Sequence, residues 1–336
     1  MRKDVSFIIP VFNTDKDLLA RCLDSIRQQN LIDFEIIVVN DGSEVLKSKE
    51  YEKLSHDYGA RYYYQEKQGV SVARNKGIEE AQGKYIFFVD SDDKLISNSI
   101  SKQDISNNED FIIYNVEKIN NKSNDKKTYT LGVDVSSPPQ MKIINGFLNN
   151  DLLNWSVSKL YKRSFLIKNN IKFDSKRVSG EDFVFVYAVY KNEPIVKYVK
   201  KTIYIYYYND VTGESRILSK PIANVNDIMT LYHIRNEIID SYESLGKDIK
   251  ITLCQNTIDS LFSSYSLIVS TRLVKNAEIF STYANIAKNF EESILVEIRL
   301  KYKLKLFLMT HKSKIATKLY NKLFLIKVWV KGKNKK

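Results

Sequence analysis

The sequence predicts an α/β fold, a mostly parallel sheet with helices on both faces, continued by a helical C-terminal extension. Up to residue 90, short apolar runs alternate with segments of helical periodicity, the pattern of parallel strands joined by crossover helices. The run Tyr85–Val89, aromatic or β-branched at every position, reads as a strand buried on both faces. From Pro221 onward helical periodicity dominates, including Ile222–Tyr242 and Ile249–Ser270.

In chain order, Val5–Val11 is the first strand, apolar and broken by Pro10. Thr14 and Asp17 form a capping-box-like start for a helix with Leu18, Leu19, Cys22, Leu23 and Ile26 on one face, which makes Cys22 a core residue. Phe34–Asn40 is the second strand and ends in the sharp turn Asp41-Gly42-Ser43. A helix over Ser48–Tyr58, a strand over Arg61–Gln65 and a helix over Gly69–Ala81 lead to the strand Tyr85–Asp90. Beyond Asp93 the pattern loosens. Phe111–Glu117 is compatible with a strand, Asn120–Lys127 reads as a polar loop, and Trp155–Tyr161 precedes a short helix near Ser164–Asn169. A helix opens at Glu181-Asp182 and runs to about Tyr190, and the tyrosine-rich Ile195–Tyr208 is strand-like. Arg299–Leu306 alternates basic and apolar residues with period two, which favours a strand.

Composition narrows the function. Two distant cysteines, Cys22 and Cys254, and three histidines argue against a disulfide framework or a Cys/His zinc site, and fit a reducing cytosol. The first residues hold too short an apolar stretch for a signal peptide, and no stretch approaches the ~20 apolar residues of a spanning helix. The net charge of +12 is concentrated: residues 294–336 hold 13 Lys/Arg and one acid, Glu297, so the first 293 residues are neutral. A neutral body argues against a nucleic-acid-binding face, and the basic tail predicts contact with something anionic, such as a membrane surface.

The apolar strand at Tyr85 runs into three carboxylates, Asp90, Asp92 and Asp93, at the edge where open α/β sheets bind ligands. Packed this closely they repel one another unless a cation sits between them. One reading is a metal-diphosphate site, since Mg²⁺ takes only one or two protein carboxylates and completes its shell with water and phosphates. The other is an Asp-rich turn that caps the next helix.

Six segments favour the first reading: IIPVFN at 8–13, VVNDGS at 38–43, QGVSVARNKGI at 68–78, FVDSDD at 88–93, WSVSKLY at 155–161 and GEDF at 180–183. In this order and spacing they resemble family 2 glycosyltransferases of the GT-A fold, over roughly Val5 to Ser215. The resemblance implies a GT-A domain over 1–215, with a nucleotide-binding half at 1–98 and an acceptor half at 99–215, before a helical region at 216–336. It implies a UDP-sugar donor and Mn²⁺ or Mg²⁺ as cofactor. It implies that Asp41 accepts from the uracil N3–H, with a turn carboxylate before Gly42 as the alternative. Pro10, Phe12 and Asn13 would wall the base, with Asp15 where relatives usually have Glu. Arg74 and Asn75 would approach the nucleotide and sugar, or else form a solvated helix face. Asp90 would contact the ribose, Asp92 would bind the metal, and Ser91 and Asp93 would lie against the donor. Asp182 would be the general base, with Glu181 as the fallback, and plain helix capping is the alternative for that pair.

Two departures matter. After the tyrosines of IYYYNDVTGES (205–215), where relatives often carry Arg, stand Asn209 and Asp210. Lys159, Arg216 or a C-terminal lysine is left to balance the diphosphate. No QxxRW-type signature is present, which favours single-sugar transfer over processive synthesis. A nucleotidylyltransferase would need a Gly/Arg-rich loop where PVFNTD stands, and a haloacid-dehalogenase phosphatase would carry its aspartates on the first strand. The expectation is an inverting enzyme of surface-polysaccharide synthesis, cytoplasmic and peripheral on the inner membrane face. Its partners would be a lipid-linked or saccharide acceptor, anionic lipid and, in a homo-oligomer, further copies of itself. The competing expectation is a catalytically silent sugar-nucleotide-binding module associated with the membrane.

Overall fold

The computed structural model describes residues 3–29, 32–105, 108–133, 138–149, 152–208, 214–242, 245–271, 276–311 and 317. Asn209 and Asp210, the side chain of Arg216 and the tail at 318–336 lie outside the described residues. The chain forms two compact units, one of Met1–Lys176 with Glu181–Asp210, the other of Arg177–Gly180 with Val211–Lys336.

The first unit is built on a nine-stranded sheet. Strands β1 (Val5–Val11), β2 (Phe34–Asp41), β3 (Arg61–Gln65) and β4 (Tyr85–Phe88) run parallel in the order β3-β2-β1-β4. Helices α1 (Lys16–Arg27), α2 (Val45–Asp57) and α3 (Val70–Glu80) make the crossovers. Every residue of β1 is buried, as a strand covered on both faces requires. The second half of the sheet is mixed. β5 (Lys94–Leu95) pairs antiparallel with β9 (Val196–Tyr208), which runs parallel to β6 (Phe111–Asn120). β7 (Lys126–Tyr129) and β8 (Lys159–Lys162) pair antiparallel with β6, and β8 also joins β4. Helices α4 (Gln140–Leu148), α5 (Arg163–Lys168) and α6 (Glu181–Lys191) complete the unit. The expected α/β architecture, with a helical C-terminal region, is thus present.

Three local expectations are corrected. The α1 N-cap is Asp15, whose carboxylate accepts from the Asp17 N–H, while the Thr14 hydroxyl pairs with Ser91 at 2.6 Å. The expected loop at 120–127 contains part of β7. There the Asn120 side chain accepts from the Lys122 and Ser123 amides and Asn124 takes φ 58°, so a tight turn folds the chain back on β6. The period-two stretch at 299–306 lies at the start of a helix, Leu300–Thr310. Tyr302, Leu306 and Met309 are buried at i, i+4 and i+7, so tertiary packing overrides the alternation.

The second unit is helical, with long helices Pro221–Asp240 and Lys247–Val269. Its aromatic core joins Tyr265 to Phe280 and Tyr283, and Tyr283 donates to the Ser264 hydroxyl. Val178 and Ser179 donate their amides to the Asp227 carboxylate, which also pairs with Arg177 at 3.3 Å. Among the described residues no helix is long and apolar enough to cross a membrane.

Helix α3 lies unusually close to β1. A Cβ on Gly77 would stand 2.2 Å from the Ile8 Cγ2 atom. Gly77→Ala should therefore destabilise the protein by about 1–3 kcal/mol through overpacking, read as a lower urea midpoint at unchanged m-value. An unchanged midpoint would mean that this approach is not tight.

Candidate active site

The carboxyl ends of β1, β2 and β4 meet α3 and α6 on one side of the sheet. Between β1 and β4 lies the point where the strand order reverses, the ordinary place for a ligand in such a sheet. The Asp41 carboxylate closes the end of β2. It accepts from Gln65 Nε2, Gln68 N–H and Gly69 N–H, each at 2.8 Å. Gly42 follows at φ 73°, where a Cβ would meet the Lys67 amide at 2.5 Å, so only glycine suits this turn. Lys67 Nζ stands 4.0 Å above the centre of the half-exposed Phe12 ring. Asn13, at φ 51°, accepts from the Glu44 amide, and its own amide donates to Ser43. Pro10 is buried within β1.

Arg74 is the hub. Its guanidinium donates to Asp182 Oδ1 at 2.8 Å and to Asp90 Oδ1 at 2.9 Å, with Glu181 at 3.9 Å, over the Phe173 ring. Burial pulls its pKa down, but Asp182, Asp90 and Glu181 outweigh burial and hold it above the ordinary arginine value. Its Nε–H has no hydrogen-bond partner among the described residues. Phe173 is stacked on Phe185 at 3.9 Å, and Phe88 meets both rings edge-on, which fixes the floor beneath the charges. Beside Arg74, Asn75 brackets Phe173, donating to its carbonyl and accepting from its amide. Neither residue lies on a solvated helix face.

The turn after β4 sorts its acids. Asp93 is buried, and accepts from the Tyr204 hydroxyl at 2.7 Å and the Tyr207 amide at 2.8 Å. Tyr204 also accepts from the Asp90 amide at 3.0 Å. Burial, then repulsion from Asp90 and Asp92, holds the Asp93 carboxyl well above the ordinary range. Ser91 is buried against Thr14. Asp92 points outward and is exposed, though the surrounding protein and Asp90 still raise its pKa. Among the described residues no three His, Cys, Asp or Glu side chains converge as a cation cage. The Asp92 carboxylate suits instead a Mg²⁺ or Mn²⁺ that takes its other ligands from water and phosphates.

The structure brings together Arg74, Asp90, Glu181 and Asp182, with Ser91, Asp92 and Asp93 on the adjoining turn. It does not bring Lys159 to them as a counter-charge. That side chain is fully buried and spends its three N–H donors on the carbonyls of Leu152, Trp155 and Val157. Asp15 is occupied as the α1 cap. Sequence reasoning missed Arg21, which donates to the Asp92 carbonyl and lies 4.2 Å above the Tyr207 ring. It also missed Tyr204 and Tyr207. Their signal was the run of tyrosines in β9, where alternate rings face opposite sides.

Against this geometry stand the comparisons with known proteins. Residues 6–169 match the model of glycosyl transferase family 2. The chain is 27% identical over 279 residues to a protein of Bacillus subtilis named uncharacterized glycosyltransferase EpsJ, covering 77% of each. It is 27% identical to the cholesterol galactosyltransferase of Borreliella burgdorferi, covering 72% of this chain and 71% of that one. In fold it is similar to S. aureus TarS 1-349 in complex with UDP-GlcNAc, at a TM-score of 0.59 and 18% identity, covering 93% of this chain and 88% of that one.

Removing the hub should unfold more than it inactivates. Arg74→Ala leaves Asp90 and Asp182 with no guanidinium between them, so a loss of about 3–5 kcal/mol is expected, measured by urea denaturation. A loss under ~1 kcal/mol, the range of exposed ion pairs, would show that the cluster is solvated.

Proposed function

This chain is a glycosyltransferase, with a family 2 domain over residues 6–169, and from that premise we propose that it moves a single sugar from a UDP-sugar to an acceptor hydroxyl with inversion. One observation carries the reading: a single buried guanidinium holds Asp182 beside Asp90, two residues from the exposed Asp92. That puts a candidate proton acceptor and a candidate metal ligand on one small surface. Asp92 would hold Mg²⁺ or Mn²⁺, which when bound neutralises charge developing on the departing diphosphate. Asp182 would take the proton of the attacking hydroxyl, with Glu181 as the fallback. A base opposite the leaving group implies a β-linked product from an α-linked donor.

The nucleotide end rests on Asp41, Phe12 and Asn13. The Asp41 oxygens retain accepting capacity beyond their three present bonds, and Phe12 offers a half-exposed ring. TarS, solved with UDP-GlcNAc, supports a uridine donor in this fold. Asp90 and Asn75 are read as ribose and sugar neighbours, with Ser91 and Asp93 behind them. With Lys159 buried, Arg21 and Lys67 stand as the nearer cations for the phosphates.

The Borreliella relative is named for a sterol acceptor, which supports a lipid acceptor here, and a lipid-linked saccharide is the form we propose. Peripheral attachment to the inner membrane face has support in the second unit. Leu300, Leu304 and Phe307, spaced four and three apart along the helix Leu300–Thr310, are exposed on one face, among Arg299, Lys301 and Lys303. Basic residues near an anionic leaflet contribute on the order of 1 kcal/mol each.

Two experiments test these readings. Calorimetry with UDP, GDP and dTDP should show UDP-selective binding that chelator weakens; equal affinities sink the donor assignment. In the same assay Asp92→Asn should weaken metal-dependent UDP binding and abolish transfer, while Asp182→Asn should keep donor affinity and lose about 10²–10⁴ in rate. If Asp182→Asn stays active and Glu181→Gln is dead, the base is Glu181. Absence of both transfer and UDP-sugar hydrolysis in the wild type would favour a silent binding module. In the second experiment, Leu300→Glu with Phe307→Glu should abolish sedimentation with phosphatidylserine vesicles, and undiminished sedimentation would refute the membrane face.

A further inference from the structure

Strand β9 does more than hold Asp93. Its even-numbered tyrosines face one way: Tyr204 reaches Asp93 and the Asp90 amide, Tyr206 comes two residues further on, and Tyr208 follows. Two residues along a strand is about 7 Å. Tyr206 is therefore one strand step from the carboxylate turn. The Trp155 ring lies parallel to Tyr206 within 8°, at 5.9 Å between centres, and Tyr129 meets Trp155 edge-on at 4.9 Å. Lys118 Nζ caps Tyr208 at 4.1 Å. Trp155, Tyr206 and Tyr129 are all partly exposed. Burial, followed by Asp90, Asp93, Asp92 and Asp182, pushes the Tyr206 hydroxyl up, as expected beside the same carboxylates.

We propose that Trp155 and Tyr206, braced by Tyr129, form a stacking subsite for a pyranose ring of the acceptor. An aromatic face carries negative quadrupole charge, and the C–H face of a pyranose is apolar and weakly positive, so the two stack while the hydroxyls stay at the rim. Position selects acceptor over donor. The nucleotide elements Asp41, at the end of β2, and Phe12, just after β1, lie on one side of the Asp90–Asp93 turn, whereas Trp155 and Tyr206 belong to the β8–β9 half. The proposal deepens the transferase reading and rests on it for the word acceptor; the saccharide chemistry rests on the rings alone.

The chain has two tryptophans, so Trp329→Phe leaves Trp155 as the only indole reporter. This full-length variant, with Mg²⁺ and saturating UDP, is titrated with the methyl β-glycosides of glucose, galactose and N-acetylglucosamine, and with glycerol as the acyclic control. A saturable change in Trp155 emission with at least one glycoside and none with glycerol is expected. Adding Tyr206→Ala should weaken it about tenfold, while Tyr206→Phe preserves it. UDP affinity, followed in parallel, reports that each variant is folded. No saturable change with any glycoside overturns the subsite. So does a change that survives Tyr206→Ala in a variant that still binds UDP. A response to UDP-sugar alone would reassign the rings to the donor. If UDP fails to bind but glycosides still titrate through Tyr206, the saccharide site stands and the UDP-transfer reading fails.

Discussion

Taking a guanidinium out of water costs several kcal/mol unless anions gather round it, and Arg74, only 3% exposed, draws its anions from two other elements. Asp90 comes from the end of β4, Glu181 and Asp182 from the first turn of α6, and Arg74 itself from α3. For the three to meet, α3 has to sit almost in contact with β1, which is why the residue facing Ile8 has no side chain. The aromatic floor of Phe88, Phe173 and Phe185 then denies water to the underside of the pair. A helix start rich in acids is ordinarily stabilised by its own dipole. Here the same acids also have a specific cationic partner 108 residues earlier in the chain.

That constraint explains how so many carboxylates coexist. Asp90 and Asp182 share a cation, Asp93 is held by a phenol and an amide, and Asp92 is left facing solvent. Hydrogen-bond donors without charge satisfy Asp93 but do not cancel it, and its raised pKa follows from burial beside two like charges. The sorting is by partner, and it singles out the one acid of the turn that still faces outward.

Much of this was legible in the sequence. The alternation of strands and helices and the burial of β1 and Cys22 follow from local pattern, whereas the grouping of the DSDD and GEDF segments came from the family resemblance. What local pattern could not give was pairing. Nothing near Arg74 in the chain says that it will meet Asp182, and nothing near Lys159 says that its charge will be spent on three carbonyls of its own neighbourhood. The capping box failed by one residue because Thr14 found a partner, Ser91, 77 positions away. The alternation at 299–306 misled because half of its apolar residues face outward. Each miss is a long-range contact overriding a short-range preference.

The charge balance of the cluster gives the proposed metal a physical reason. Asp90, Glu181 and Asp182 surround the Arg74 guanidinium, Asp92 and Asp93 lie on the adjoining turn, and Arg21 is engaged with the Asp92 backbone carbonyl and an aromatic ring. The surroundings of Asp92 are therefore net negative before any ligand arrives. A nucleoside diphosphate adds further negative charge to that surface, and at a few ångströms in a partly dry site such repulsion is worth several kcal/mol. Under the proposed reading donor binding thus needs a cation between Asp92 and the phosphates, and the same cation relieves the carboxylates. The tyrosines suit this arrangement better than lysines would. They hold Asp93 in place without adding positive charge where the proposed cation would sit.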